Sequence, residues 1–208
     1  MDAVIDQLRQ GKVVAVIRRL LPTVWEDVVR SLVNGGIHIL EVTMDAADAP
    51  KQIEHVLANY GDSVLVGAGT VLTVEQARQA VAVGSKFLVC PHLDEELMDE
   101  ANRLGVPMIP GVMTPSEIRR AIKYGAKTVK VFPANVVGPG FVRDVLGPFS
   151  GLSMMVTGGL TLDNFASFLQ AGAEMVGLGS FLFPRSDLDE MNWVAIEERA
   201  KKIMMAIK

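Results

Sequence analysis

Cysteine is nearly missing from this chain. Cys90 is the only one in 208 residues, which excludes an internal disulfide framework and suits a reducing cytoplasm. Basic charge is not in excess: 20 Lys and Arg stand against 24 Asp and Glu, a formal net charge of −4. General binding to nucleic acid or to an anionic membrane surface needs a basic face that this balance does not supply. No apolar run approaches the ~20 residues needed to span a bilayer. The opening "MDAVIDQLRQGK" has acidic residues and an amphipathic spacing, so a signal peptide is not expected there. The three histidines, His38, His55 and His92, are scattered without metal-ligand spacing, so neither a metal site nor a zinc-dependent reaction is expected. The glycines of "GAGTVL" do not form the GxGxxG dinucleotide fingerprint. Linkers, charge blocks and low-complexity segments are also lacking, so residues 1–208 are expected to form one domain.

What is present is a repeated unit. Apolar strand, polar cap, amphipathic helix and glycine recur in the same order along the chain. Strands are expected at 13–17, 37–43, 64–70, 86–90, 106–110, 128–132, 153–157 and 174–179, spaced as βα units are. Their near-continuous apolar character means burial on both faces, as in a parallel sheet covered by helices. Thr23 with Glu26, Thr73 with Gln76, and Thr114 with Glu117 have capping-box spacing, and Pro115 suits a first helical position. Glycines in "VNGGIH", "AVGSKF", "RLGVPM", "KYGAKT" and "QAGAEM" mark helix ends. A short helix is expected over about 1–10, and a C-terminal helix over about 187–207 with Trp193, Ile196, Ala200, Ile203 and Ile207 on one stripe. Eight units in this length read as an α/β protein, a (β/α)8 barrel. A doubly wound open sheet is the alternative.

The stretch "GAKTVKVFPA" holds two lysines in one strand. Strand side chains alternate faces. If Val129 and Val131 face the helices, Thr128, Lys130 and Phe132 face the lumen, while Lys127 shares the outward parity and reaches solvent. Lys130 then lies near the carboxyl ends of the strands, where barrels of this kind build their sites. Burial disfavours an ammonium, and a neutral amine can attack a carbonyl and form a Schiff base. The same parity rule turns Glu41 of "IHILEVT" into the lumen, as a proton carrier or as a counter-charge to Lys130. Thr70, ending "GAGT", offers a hydroxyl to a substrate or to its own backbone. Of Arg18 and Arg19, parity with Val14 and Val16 selects Arg18 as the guanidinium at the mouth, suited to a carboxylate; a solvated loop arginine is the alternative. "VTGGLT" and "GLGS" close strands seven and eight, so Gly158, Gly159, Gly179 and Ser180 are candidates for a phosphate cradle. Cys90 near His92 reads as a packed cysteine rather than a thiolate pair.

Taken in order, "LEVT", "VGAGTVL", "PGVMTPSE", "KVFPA", "GPF" and "TGG…GS" resemble the family of 2-dehydro-3-deoxy-phosphogluconate (KDPG) aldolase and 4-hydroxy-2-oxoglutarate (KHG) aldolase, from about residue 10 to residue 185. The resemblance implies a metal-independent class I aldolase that releases pyruvate, commonly as a homotrimer, with no cofactor. It matches Lys130 to the Schiff-base lysine, Glu41 to the general acid/base and Thr70 to a ligand of the pyruvyl portion. It matches the "TGG" and "GS" residues to the phosphate site, and implies that Pro91 and Phe132 line the pocket. The chain departs at "EVTMDAAD", where Asp45 stands in place of an arginine that many members use for the substrate carboxylate. Arg18 fits the position from which other members supply that charge. The expected substrate is a 2-keto-3-deoxy sugar acid 6-phosphate. An unphosphorylated 4-hydroxy-2-oxo acid, or a phosphate-binding isomerase or synthase without an imine, are the alternatives.

Overall fold

The computed structural model describes residues 1–207. Nine short parallel strands are found among them: β1 (Val13–Ile17), β2 (Ile39–Thr43), β3 (Leu65–Gly69), β4 (Leu88–Val89), β5 (Met108–Ile109), β6 (Gly111–Val112), β7 (Thr128–Val131), β8 (Ser153–Thr157) and β9 (Met175–Leu178). They are ordered β5-β4-β3-β2-β1-β9-β8-β7-β6 in one sheet. The two ends of that order, β5 and β6, are consecutive pieces of one chain segment, so the sheet curls into a barrel. The expected fifth strand is thus divided. Pro110, between the pieces, has no N–H to give to a ladder. Its carbonyl still accepts from Lys130 N at 2.8 Å, and this bond ties the break to β7.

Ten helices are found among the described residues, most of them between strands: α1 (Asp2–Gly11), α2 (Trp25–Asn34), α3 (Ala49–Tyr60), α4 (Val74–Ala82), α5 (Glu95–Leu104), α6 (Pro115–Lys123), α7 (Ala134–Leu146), α8 (Phe165–Gln170), α9 (Arg185–Asp189) and α10 (Trp193–Ala206). The expected C-terminal helix is two helices, α9 and α10. Its apolar stripe holds, with Ile196, Ala200 and Ile203 buried. No helix of the described residues is long and apolar enough to cross a membrane.

The alternation read from the strands is realised in two separate cores. Val13, Ala15, Ile17, Leu40, Val42, Val129 and Val131 belong to the outer core between sheet and helices. Val14, Ile39, Phe87, Val89, Ile109, Met155 and Met175 fill the lumen, joined by Ile5 and Leu8 of α1. Val14, Ile39 and Met175 lie at the starts of their strands beside Ile5 and Leu8, so α1 stops the amino end of the barrel. The carboxyl end stays available for polar groups. Gly67 makes room for the lumen filling: a Cβ there would stand 2.5 Å from the Phe87 ring.

Local signals vary in how well they survive. Thr114 and Glu117 form the full reciprocal capping box, with Pro115 at the start of α6. Thr73 accepts from Gln76 N, but the Gln76 side chain bonds Leu72 N and the Met44 carbonyl instead of closing a box. Thr23 caps nothing. The helix there starts at Trp25 behind Val24, whose N–H and that of Trp25 already reach the Leu21 carbonyl. Glu26, the expected box partner, faces His55 at 3.6 Å. The glycine helix ends hold, since Gly36, Gly84, Gly105, Gly125 and Gly172 all take positive φ.

These observations separate two threonines of similar sequence context. Thr114→Ala is expected to destabilise the fold by about 1 kcal/mol, the typical loss of an N-cap. Thr23→Ala, on an exposed residue that caps no helix, is expected to change stability by less than about 0.5 kcal/mol. Urea unfolding of both variants measures the contrast.

Candidate active site

Register carries the chemistry-bearing residues to one end of the lumen. Glu41 in β2 aligns with Val16 of β1 and Gly67 of β3. Lys130 in β7 aligns with Gly111 of β6 and Met155 of β8. Both face inward: Glu41 lies two residues beyond the lumen-filling Ile39, and Lys130 is in register with the lumen-filling Met155. Lys130 Nζ lies 3.6 Å from Glu41 Oε1, and the two side chains are 5% and 0% exposed. That spacing is an ion-pair contact too long for a direct hydrogen bond. Neither carboxylate oxygen of Glu41 has a hydrogen-bond donor. The Phe132 ring lies below the amine, its centroid 5.4 Å from Nζ. Lys127, by contrast, is exposed and pairs with Asp2. Lys130 in β7 and Lys127 just before it therefore occupy opposite environments, as alternation requires.

Small residues open the space. A Cβ on Gly69 would stand 2.0 Å from Glu41 Oε1, so only glycine there admits the carboxylate. A Cβ on Gly111 would stand 2.1 Å from the Pro91 carbonyl oxygen, which lets the partly exposed Pro91 and β6 approach closely. "GAG" in β3 thus provides clearance for Phe87 and Glu41. Thr157, at the end of β8, has a buried hydroxyl without a partner. A Cβ on Gly177 would stand 2.2 Å from that hydroxyl. Sequence reading passed over Thr157, although its parity with Met155 would have placed it in the lumen.

A second cluster stands at the mouth. Arg18 and Thr70, singled out separately in the sequence, meet: Arg18 Nη2 donates to Thr70 Oγ1 at 2.9 Å. Thr70 takes a left-handed φ of 50°, so its hydroxyl is supplied from a turn immediately after β3. Asp45 joins them, its Oδ2 lying 3.1 Å from Arg18 Nη1 and 3.0 Å from Arg19 Nε. Gly179 and Ser180 line a cavity of about 370 Å³ together with Arg18, Arg19 and Phe183. This cavity adjoins the mouth of β1 and β9, and Lys130 and Glu41 are not among its lining residues. Gly158 and Gly159 turn with φ of 103° and 67° against the segment that follows Lys130. Side chains there would stand 3.1 Å from Pro133 Cα and 2.4 Å from Asn135 Cγ respectively. The four cradle candidates thus follow adjacent paired strands, Gly158 and Gly159 packing toward the end of β7 and Gly179 and Ser180 toward Arg18.

Cys90 is buried, with Sγ 3.3 Å from His92 Nδ1. Burial pushes its thiol up from 9.0 to about 11, and the hydrogen bond from the His92 backbone offsets only part of this. A thiolate nucleophile is absent at neutral pH, which agrees with the packed-cysteine reading.

A parallel barrel with a buried lysine–glutamate pair in its lumen and arginines at its mouth has the layout of a Schiff-base lyase. A sequence model of the KDPG and KHG aldolase family matches residues 4–199, and the chain belongs to that family. It is 36% identical to the 2-dehydro-3-deoxy-phosphogluconate aldolase of Treponema pallidum (strain Nichols), over 82% of this chain and 84% of the relative. It is 33% identical to a probable 2-dehydro-3-deoxy-6-phosphogalactonate aldolase of Rhizobium meliloti (strain 1021), over 88% and 87%. Among solved structures it resembles KDPG aldolase from Legionella pneumophila with pyruvate captured as a covalent carbinolamine. That likeness has a TM-score of 0.86 and 31% identity, over 91% of this chain and 92% of that one.

The raised thiol has a checkable consequence. Alkylation of Cys90 in the folded protein is expected to be negligible at pH 8 and to become appreciable only near pH 11, whereas the urea-unfolded chain reacts from about pH 9. The folded value lies above the unfolded one, so this group's stabilisation is complete below pH 9 and lost as pH rises to 11. Iodoacetamide labelling rates against pH measure it.

Proposed function

We propose that the protein is a class I aldolase that cleaves 2-dehydro-3-deoxy-6-phosphogluconate to pyruvate and glyceraldehyde 3-phosphate. The observation that carries the reading is the Lys130 amine in the lumen, 3.6 Å from a Glu41 carboxylate that no other group bonds. Lys130 attacks the C2 carbonyl and, with loss of water, forms an iminium. Glu41, directly or through one water, takes the proton of the C4 hydroxyl. The C3–C4 bond breaks, its electrons flow into the iminium as an enamine, and the aldehyde leaves. Glu41 then returns the proton to C3, and water hydrolyses the imine to release pyruvate and free lysine.

The remaining groups take binding roles in this reading. Arg18 and Thr70, already bonded to each other, receive the substrate carboxylate; Phe132 and Pro91 shape the pocket around the pyruvyl portion. Gly158, Gly159, Gly179 and Ser180 offer backbone N–H groups and a hydroxyl to the distal phosphate. The arginines at 18 and 19 favour an anionic substrate near Ser180. Family resemblance supports a homotrimer acting in the cytoplasm on a small molecule, without a cofactor. The kinship with a probable 2-dehydro-3-deoxy-6-phosphogalactonate aldolase favours a second reading, the C4 epimer, with the same chemistry.

Borohydride reduction in the presence of pyruvate is expected to add the reduced pyruvyl mass at Lys130. Lys130→Ala abolishes both adduct and turnover, and wild-type protein without an adduct excludes the mechanism. Glu41→Gln is expected to lower kcat by about 10² to 10⁴, the usual range for a lost acid–base group, while an adduct still forms. Turnover of phosphorylated and unphosphorylated 2-keto-3-deoxy acids separates the substrate classes. The phosphorylated compound is expected to have the higher kcat/KM, and equal values would remove the phosphate from the proposal.

A further inference from the structure

Asp45 follows β2 at the mouth, four residues beyond Glu41. A carboxylate so close to the expected seat of a substrate carboxylate is unfavourable unless cations surround it. Two do. Its Oδ2 is shared by Arg18 Nη1 at 3.1 Å and Arg19 Nε at 3.0 Å, so two positive charges face one negative and a single positive charge remains. Arg18 is also bonded through Nη2 to Thr70. Two of its three guanidinium nitrogens are thus held by groups from two neighbouring strand ends, although the side chain is 53% exposed. Of five N–H donors, two are engaged and three remain for a ligand.

Asp45 is held through Oδ2 and through the backbone beside it, while its buried Oδ1 has no hydrogen-bond partner among the described residues. Its side chain is only 12% exposed. The preceding Met44 donates its N–H to the Gly69 carbonyl at 2.8 Å and accepts from Gln76 Nε2 at 3.1 Å. These bonds fix the segment that carries Asp45 against the turn that carries Thr70. An unrestrained arginine of this exposure would sample many rotamers and lose that freedom on binding. Here the freedom is already lost before a ligand arrives.

We propose that Asp45 is a positioning residue: it holds Arg18, together with Thr70, so that the open edge of the guanidinium receives the carboxylate of a 2-oxo acid. The inference rests on the Lys130 aldolase reading for its ligand. It explains how a chain with an acid at position 45 keeps a carboxylate site. Two effects of Asp45 oppose one another, since it orients Arg18 and also dilutes the positive charge offered to substrate. At a half-exposed site the charge effect is screened by water and salt, whereas two-point recognition depends steeply on orientation. Orientation wins.

The test compares wild type, Asp45→Asn, Arg18→Ala and the double variant, with pyruvate as probe. Half-saturation of borohydride-trapped adduct, pyruvate affinity by calorimetry, and KM and kcat for cleavage are measured, with thermal midpoints as a check on folding. Asp45→Asn is expected to raise the half-saturating pyruvate concentration and KM about tenfold, the scale of one charge-assisted hydrogen bond. A change in kcat of less than about threefold is expected, since the bond is equally present in ground and transition states. In the Arg18→Ala background the same substitution is expected to have no further effect, because Asp45 acts through Arg18. Asp45→Ser serves as a second uncharged variant, and Asp45→Glu is expected to recover part of the affinity. Unchanged or tighter pyruvate binding in Asp45→Asn overturns the proposal, as does an equal loss on the Arg18→Ala background. Absence of adduct in wild type overturns the Lys130 reading instead, and calorimetry on the same proteins still decides the role of Asp45.

Discussion

The contact between the Lys130 amine and the Glu41 carboxylate is the constraint around which the lumen is arranged. Taking two charged groups out of water costs several kcal/mol each, and replacing such a pair by apolar side chains is often neutral or stabilising. Stability alone therefore does not account for it. The surroundings yield to the pair: Gly69 gives up a side chain so that Glu41 fits, and Pro110 breaks the ladder while its carbonyl still binds Lys130 N. The apolar filling of the lumen is joined at the amino end by Ile5 and Leu8 of α1, which closes the barrel there.

Above the pair, loops from different strands depend on one another. Gln76 of α4 reaches the carbonyl of Met44, Asp45 holds Arg18, and Arg18 holds Thr70. The mouths of β1, β2 and β3 are thereby one bonded unit. Across the barrel, the glycines after β8 pack on the residues that follow Lys130. Both sets of loops are thus bonded to, or packed on, the segments that follow Glu41 or Lys130. This packing suits a family whose chemistry requires a carbonyl carbon, an amine and a carboxylate to be held within about 0.5 Å of their productive geometry.

Much of this was legible in the residues. Strand alternation alone assigned Lys130 and Glu41 inward and Lys127 outward, because a period of two leaves a strand side chain only two directions. The glycine helix ends and the Thr114 cap were equally local and equally well read. What failed did so where a distant partner intervened. Glu26 faces His55 in place of capping with Thr23, and Gln76 bonds Met44 rather than completing its box. The split at Pro110 was hidden because the two halves serve different neighbours, β4 and β7.

Periodicity and turn residues by themselves determined a parallel barrel and its inward-facing groups, since these depend on neighbours within a few positions, and the order of its motifs carried the resemblance to its family. Only the tertiary structure decided that Arg18, Asp45 and Thr70 form one cluster, and that the glycines of β3 exist to admit Phe87 and Glu41. Those contacts join residues twenty or more positions apart. Whether an acid at a binding mouth repels its ligand or steadies the arginine that binds it depends on which charges the closed barrel brings to its side.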